Sequence, residues 1–169
     1  MEAILTSLKN CLIIDSVILK GDRGCFFESF NFKKFRIFLG LAVRFVHNNE
    51  AFYNRGVLRR LYFQKREHRR SMSQRIFQDS SLDVLADRKY FSWVLSLENK
   101  KQLFVLGSFA YRYLIFEYNT IFSNKRSNNH HKSEEEIIYN DSFLNIDWML
   151  KEEEIQLVER DIVLPSFIC

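Results

Sequence analysis

One proline and five glycines in 169 residues are few, and a chain this short of turn-forming residues must build its turns from others. Asn and Asp, which tolerate left-handed backbone, are the substitutes the sequence offers. Long apolar runs are also lacking. No eighteen uncharged apolar residues stand together, so no membrane-spanning helix is predicted. Residues 1–8 have no basic stretch ahead of an apolar one, which argues against a secretory leader and makes the cytoplasm the expected location. Cys11, Cys25 and Cys169 form an odd set without CxxC or Cys/His spacing, so neither a disulfide framework nor a structural zinc site is predicted, and all three read as free thiols. A glycine-rich phosphate loop, GxSxG and HExxH are absent as well.

What the chain does have is apolar content: 47% hydrophobic and 15% aromatic residues, enough for a real core in one globular domain over residues 1–169. The net charge of +4 is unevenly spread. Residues 55–75 hold eight Lys or Arg against a single acid, Glu67, while 134–136 and 152–154 are acidic runs. A basic segment fits a phosphate-bearing partner, and it equally fits a solvated loop with ordinary strand-edge charges. Because those positions read as strands and a connection, nucleic acid is the less favoured partner.

Short strand-like pieces recur at 11–19, 43–47, 56–63, 74–77, 81–86, 91–97, 102–106, 109–116, 119–122 and 136–139. Such a pattern predicts an all-β sandwich or barrel. Phe32, Phe35, Phe38 and Leu39 fall at helical spacing behind a possible Asn31 cap, so one short helix is expected over 31–41. A second is expected over 151–157. Residues 124–135, NKRSNNHHKSEE, contain no apolar residue and read as an exposed loop. The pair His130 and His131 inside it has no third ligand at a sensible spacing, so no metal is expected.

Four blocks in order carry a resemblance: GDRGCFFESFN at 21–31, NRGVLRRLYFQ at 54–64, LSLENKKQLF at 95–104 and YNDSFLNIDW at 139–148. They are similar to GDxRGFFxESxN, xRGVLRGLHxQ, LSxENKRQLxIPxGFAHGF and WNDxxLxIDW, signatures of the dTDP-4-dehydrorhamnose 3,5-epimerases. A closing RDIVLP resembles that family's KDxxxP, and the likeness runs from about residue 5 to Pro165. The resemblance implies a double-stranded β-helix, the cupin or jelly-roll barrel, with one or two short helices. It further implies a homodimer with strands exchanged across the interface, a dTDP-linked 4-keto-6-deoxyhexose as ligand, no cofactor, and a place in dTDP-rhamnose and hence lipopolysaccharide or other polysaccharide biosynthesis. Epimerisation beside the C4 ketone requires a base on one face, a proton donor on the other and a cation for the enolate oxygen.

Laid residue by residue onto this chain, the family pattern is kept for the ligand and lost for the chemistry. Arg23, Glu28, Asn49, Arg59 and Glu134 match ligand-binding positions, with His47 and Asn48 completing the place of a QDN segment. Asp161 matches the acid that orients the catalytic His. That His is replaced by Tyr62, whose phenol titrates near ~10 and is a poor base at neutral pH. The opposing Tyr aligns with Ser123, with a one-residue gap nearby that leaves Tyr118 as a displaced candidate; the lysine falls at Met72 and the His of FAHGF at Tyr111. The tyrosine that stacks on thymine aligns with Asn129. Where the family has Gly, this chain has Arg60, Asp79, Ser108, Arg112 and Glu136, and any of these at positive φ carries strain of about 1 kcal/mol. The expected function is therefore that of an epimerase-like protein with weak or lost activity, a pseudoenzyme; the alternative is a non-catalytic nucleotide-sugar-binding or structural protein of the same fold.

Overall fold

The structure is a computed structural model that describes residues 1–9, 11–39, 44–59, 61–64, 72–76, 80–86, 89–105, 109–127, 134–142 and 144–166. Apolar alternation sets the strands. In CLIID, Cys11 and Ile13 turn to one face of the strand and Leu12 and Ile14 to the other, and all four are buried because both faces are covered. The strands in chain order are β1 (Glu2–Leu5), β2 (Cys11–Asp15), β3 (Ile18–Gly21), β4 (Gly24–Phe27), β5 (His47–Tyr53), β6 (Leu61–Gln64) and β7 (Met72–Ile76). They continue with β8 (Ser80–Ala86), β9 (Lys89–Leu95), β10 (Gln102–Val105), β11 (Ala110–Ile115), β12 (Thr120–Arg126) and β13 (Glu134–Ile137). Helix α1 (Phe32–Leu39) lies between β4 and β5, and α2 (Glu159–Ile162) follows a 3-10 turn at Glu152–Glu154.

The strands assemble into a six-stranded sheet, β1-β2-β10-β7-β12-β5, a five-stranded sheet, β13-β6-β11-β8-β9, and a separate β3-β4 ribbon. This corrects the closed double-stranded β-helix expected from the sequence. Closure needs an unbroken ring of backbone pairing, whereas among the described residues β1 pairs only with β2, β5 only with β12, β13 only with β6 and β9 only with β8. The result is a mixed α/β arrangement of open sheets.

The two large sheets face each other across one core. Cys11, Ile13, Leu103, Val105 and Phe122 from the first meet Leu95, Tyr111, Tyr113 and Ile115 from the second. The Tyr113 ring stacks on Phe122 with centroids 3.9 Å apart, and its hydroxyl donates to the Tyr53 hydroxyl at 2.9 Å. The outer face of the six-stranded sheet is covered by α1, where Phe35 packs with Phe30, Phe45 and Phe104. Asn31 caps that helix as expected, its Oδ1 accepting the Lys34 N–H at 3.1 Å; residues 40 and 41 of the expected helix lie outside the described residues.

Other expectations shift. β12 runs through Arg126, so Asn124 is a buried strand residue and not loop. β1 and α2 were unforeseen, and the predicted helix over 151–157 shrinks to the 3-10 turn. Asn119 and Asn145 do adopt positive φ, 56° and 40°, as the scarcity of glycine requires. Arg112 and Glu136 lie in strands and not at positive φ, so those two exchanges bring no backbone strain; Arg60, Asp79 and Ser108 lie outside the described residues.

Candidate functional site

Because directly opposed residues share a face, the register shows which positions form the rows that face the other sheet. On the six-stranded sheet one row reads Cys11, Val105, Met72, Arg126, His47. The next reads Ile13, Leu103, Gln74, Asn124, Asn49. Each row begins in the core and ends in polar residues, so the inner face changes from oil to hydrogen-bonding groups toward β5. On the facing sheet, Glu136, Tyr62, Tyr111, Val84 and Phe91 form one row, and Glu134 pairs with Gln64 beside it. Arg59 follows Leu58, which bridges to Leu114 on the outer face, so alternation turns Arg59 inward, and its N–H donates to the Tyr113 carbonyl at 3.0 Å.

The fold thus brings His47, Asn49, Arg59 and Tyr111 to the two inner faces, and Tyr62, Met72 and Glu134 hold register positions in or beside the same rows. It places five others elsewhere. Asn48 alternates outward, where its Oδ1 accepts from Lys125 Nζ at 3.1 Å. Ser123 also alternates outward, opposite Arg75 and Glu50, on the α1 side of the sheet. Asn124, the next residue, takes the inner position, opposite Asn49 and Gln74. Arg23 sits in the exposed turn of the β3-β4 ribbon. Glu28 belongs to the α1 side: its carboxylate accepts from Asn31 Nδ2 at 2.8 Å and pairs with Lys34 Nζ at 2.7 Å. Those bonds, Asn31 first, hold its carboxyl below its ordinary range. Asp161 is buried at 3% exposure in α2, with Arg160 Nε 3.8 Å from Oδ1. Asn129, like His130 and His131, falls outside the described residues, while Tyr118 is 62% exposed in the β11-β12 turn.

The signature blocks divide by role. In the second, Gly56 has φ +84°, and a Cβ there would collide with the Glu154 carbonyl. Its N–H donates to the Ile115 carbonyl and its own carbonyl accepts from the Gln156 N–H, both at 2.8 Å. Arg55 adds Nη2 to Glu154 Oε1 at 2.7 Å and Nη1 to the Phe116 carbonyl at 2.7 Å. The C-terminal segment is thereby strapped to the stretch that carries Arg59 and leads into β6. The third block is a turn, in which Ser96 and Asn99 exchange side-chain to backbone bonds at 3.1 and 3.0 Å. The fourth covers the outer face of the five-stranded sheet. There Arg112, wholly buried, lies 3.8 Å from the Trp148 ring centroid and donates to the Tyr139 carbonyl at 3.2 Å. Arg112 and Arg126 are charged residues whose placement the sequence did not flag; the period-2 alternation of their strands was the only signal available.

Two apposed sheets with a polar inner end, strapped by an Arg-Gly turn, define a sugar-nucleotide-modifying class once set beside known proteins. A family model described as dTDP-4-dehydrorhamnose 3,5-epimerase matches residues 5–168. The dTDP-4-dehydrorhamnose 3,5-epimerase of Escherichia coli K12 is 34% identical over 157 residues, covering 88% of this chain and 85% of that protein. That of Methanothermobacter thermautotrophicus is 33% identical over 168 residues, covering 94% and 90%. Among solved structures, the Elizabethkingia anophelis enzyme superposes with a TM-score of 0.90 at 35% identity, covering 99% of this chain and 96% of that one. The Legionella pneumophila enzyme, solved with dTDP-4-keto-L-rhamnose, gives 0.85 at 29% identity and covers 99% of each. The chain belongs to the dTDP-4-dehydrorhamnose 3,5-epimerase family. Its open sheets are related to the cupin arrangement through that membership. Among the described residues no helix is long and apolar enough to cross a membrane.

Proposed function

We propose that this chain holds a dTDP-linked 4-keto-6-deoxyhexose of the dTDP-rhamnose route, with dTDP-4-dehydro-6-deoxyglucose the expected ligand, and epimerises it slowly or not at all. The observation that carries this reading is the make-up of the inner rows. Polar groups persist at one end, in His47, Asn49, Asn124 and Arg126, while the positions expected to move protons are Tyr62 opposite Tyr111, and Met72. A thioether cannot stabilise an enolate. A phenol lacks the basicity to take a carbon-bound proton at neutral pH. Asn124, in the row of Asn49, is an amide and supplies no acid-base proton.

In the same reading the whole chain is one domain and works as a homodimer. Leu19 and Phe26 are register partners on the β3-β4 ribbon and are 61% and 69% exposed. An isolated two-stranded ribbon with an apolar face is marginal in water and is stabilised by being covered. Arg23 and Glu28, which lie away from the inner faces of their own chain, then serve the site of the partner. Calorimetric titration of the full chain with dTDP-4-dehydro-6-deoxyglucose tests the binding claim. Saturable heat supports it, and no heat at millimolar ligand refutes it.

A further inference from the structure

The family's lysine falls at Met72, and the register puts Arg126 directly across from it. Opposed residues on antiparallel strands have Cβ atoms only ~5 Å apart. A guanidinium rooted on β12 can therefore cover the space that an amine rooted on β7 would occupy. We propose that Arg126 supplies the positive charge lost at Met72 and meets the sugar end of the ligand between the sheets, an inference that rests on the binding reading above.

Three observations carry it. Nε of Arg126 donates to Oδ1 of Asn124 at 2.9 Å, and Asn124 is only 7% exposed. The bond holds the side chain along the inner face, toward the next row and away from solvent. Among the described residues, Nη1 and Nη2 meet no acceptor and Arg126 forms no ion pair, which leaves a two-pronged donor suited to oxygen atoms. Finally, neither inner row of the six-stranded sheet contains a carboxylate: the neighbours are His47, Met72, Asn49, Asn124 and Gln74. A half-buried cation that meets no carboxylate in the inner rows of its own sheet loses hydration that an electron-rich ligand oxygen restores.

The test is calorimetry with dTDP-4-dehydro-6-deoxyglucose on the full chain, as wild type, Arg126→Ala, Arg126→Gln and the double variant Met72→Lys/Arg126→Ala. Both single variants are expected to bind about tenfold more weakly, and the double variant to recover to within about threefold of wild type, because it returns the charge to the family position. Rescue by Met72→Lys also shows that the loss in Arg126→Ala is one of charge and not of folding. Unchanged affinity in Arg126→Ala and Arg126→Gln, or a loss that Met72→Lys does not restore, overturns the inference while wild-type binding still stands. Absence of wild-type binding refutes the binding reading itself, and this inference with it.

Discussion

Replacing Gly56 by Ala should destabilise the protein through two costs that the structure separates. At φ +84° an L side chain is strained by about 1–2 kcal/mol. The new Cβ would also overlap the Glu154 carbonyl, which belongs to the backbone and cannot rotate aside. Relief requires the C-terminal segment to move off. That loosens the hydrogen bonds from Gln156 N–H to Gly56 and from Gly56 N–H to Ile115, both 2.8 Å, at about 1 kcal/mol each. The sum, about 3–4 kcal/mol, lowers Tm by roughly 10 °C in a chain of this size. Scanning calorimetry or thermal circular dichroism reads it. Gly21→Ala is the control, since a Cβ there meets nothing within 4 Å, and it should leave Tm unmoved. A Gly56→Ala protein that melts within about 2 °C of wild type would refute the strap between this turn and the tail.

Arg112→Ala should cost about 3 kcal/mol by removing the cation from the Trp148 face and the bond to Tyr139, with Lys unable to replace the planar stack; denaturant unfolding measures the cost, and Trp148 emission in a Trp93→Phe background should shift to the red. Glu154 is held below its ordinary value of 4.5, chiefly by the bond from Arg55. A depressed carboxyl contributes stability that is present above about pH 4.5 and is lost as pH falls through the lower folded value. Melts of Glu154→Gln should accordingly show a shallower fall in Tm over that acid window than wild type, and equal slopes would contradict the assignment. Burial raises the Cys11 thiol to about 11, whereas Cys25 is exposed. In a Cys169→Ser background, a thiol reagent at neutral pH should label Cys25 within minutes and Cys11 only after unfolding.

The blocks that carry the family resemblance were legible because they are local: the Asn31 cap, the turn held by Ser96 and Asn99, and the glycine at 56 each write their conformation into neighbouring residues. Closure was not legible. Whether β1 meets β5, or β13 meets β9, depends on pairings between distant strands that no short segment encodes. Residues 124–126 show the same limit, since polar composition argued for a loop, while the ladders to His47–Tyr53 and Met72–Ile76 extend the strand through Arg126. Tertiary pairing outweighed local preference there. The exchange of Ser123 for Asn124 as the inward residue has the same cause. The place of a one-residue gap decides which face a side chain takes, because a slip of one position inverts the strand.

In the function proposed above, the ligand site keeps its frame and has lost its proton transfer. Proton magnetic resonance of dTDP-4-dehydro-6-deoxyglucose in D2O tests it most directly, with wild type compared to Tyr62→His/Met72→Lys/Asn124→Tyr. Wild type is predicted to bind the sugar nucleotide yet leave its C3 and C5 protons exchanging at the buffer rate over hours, while the triple variant replaces them with deuterium. Deuterium uptake at either carbon by the wild-type chain as fast as by the triple variant would contradict it.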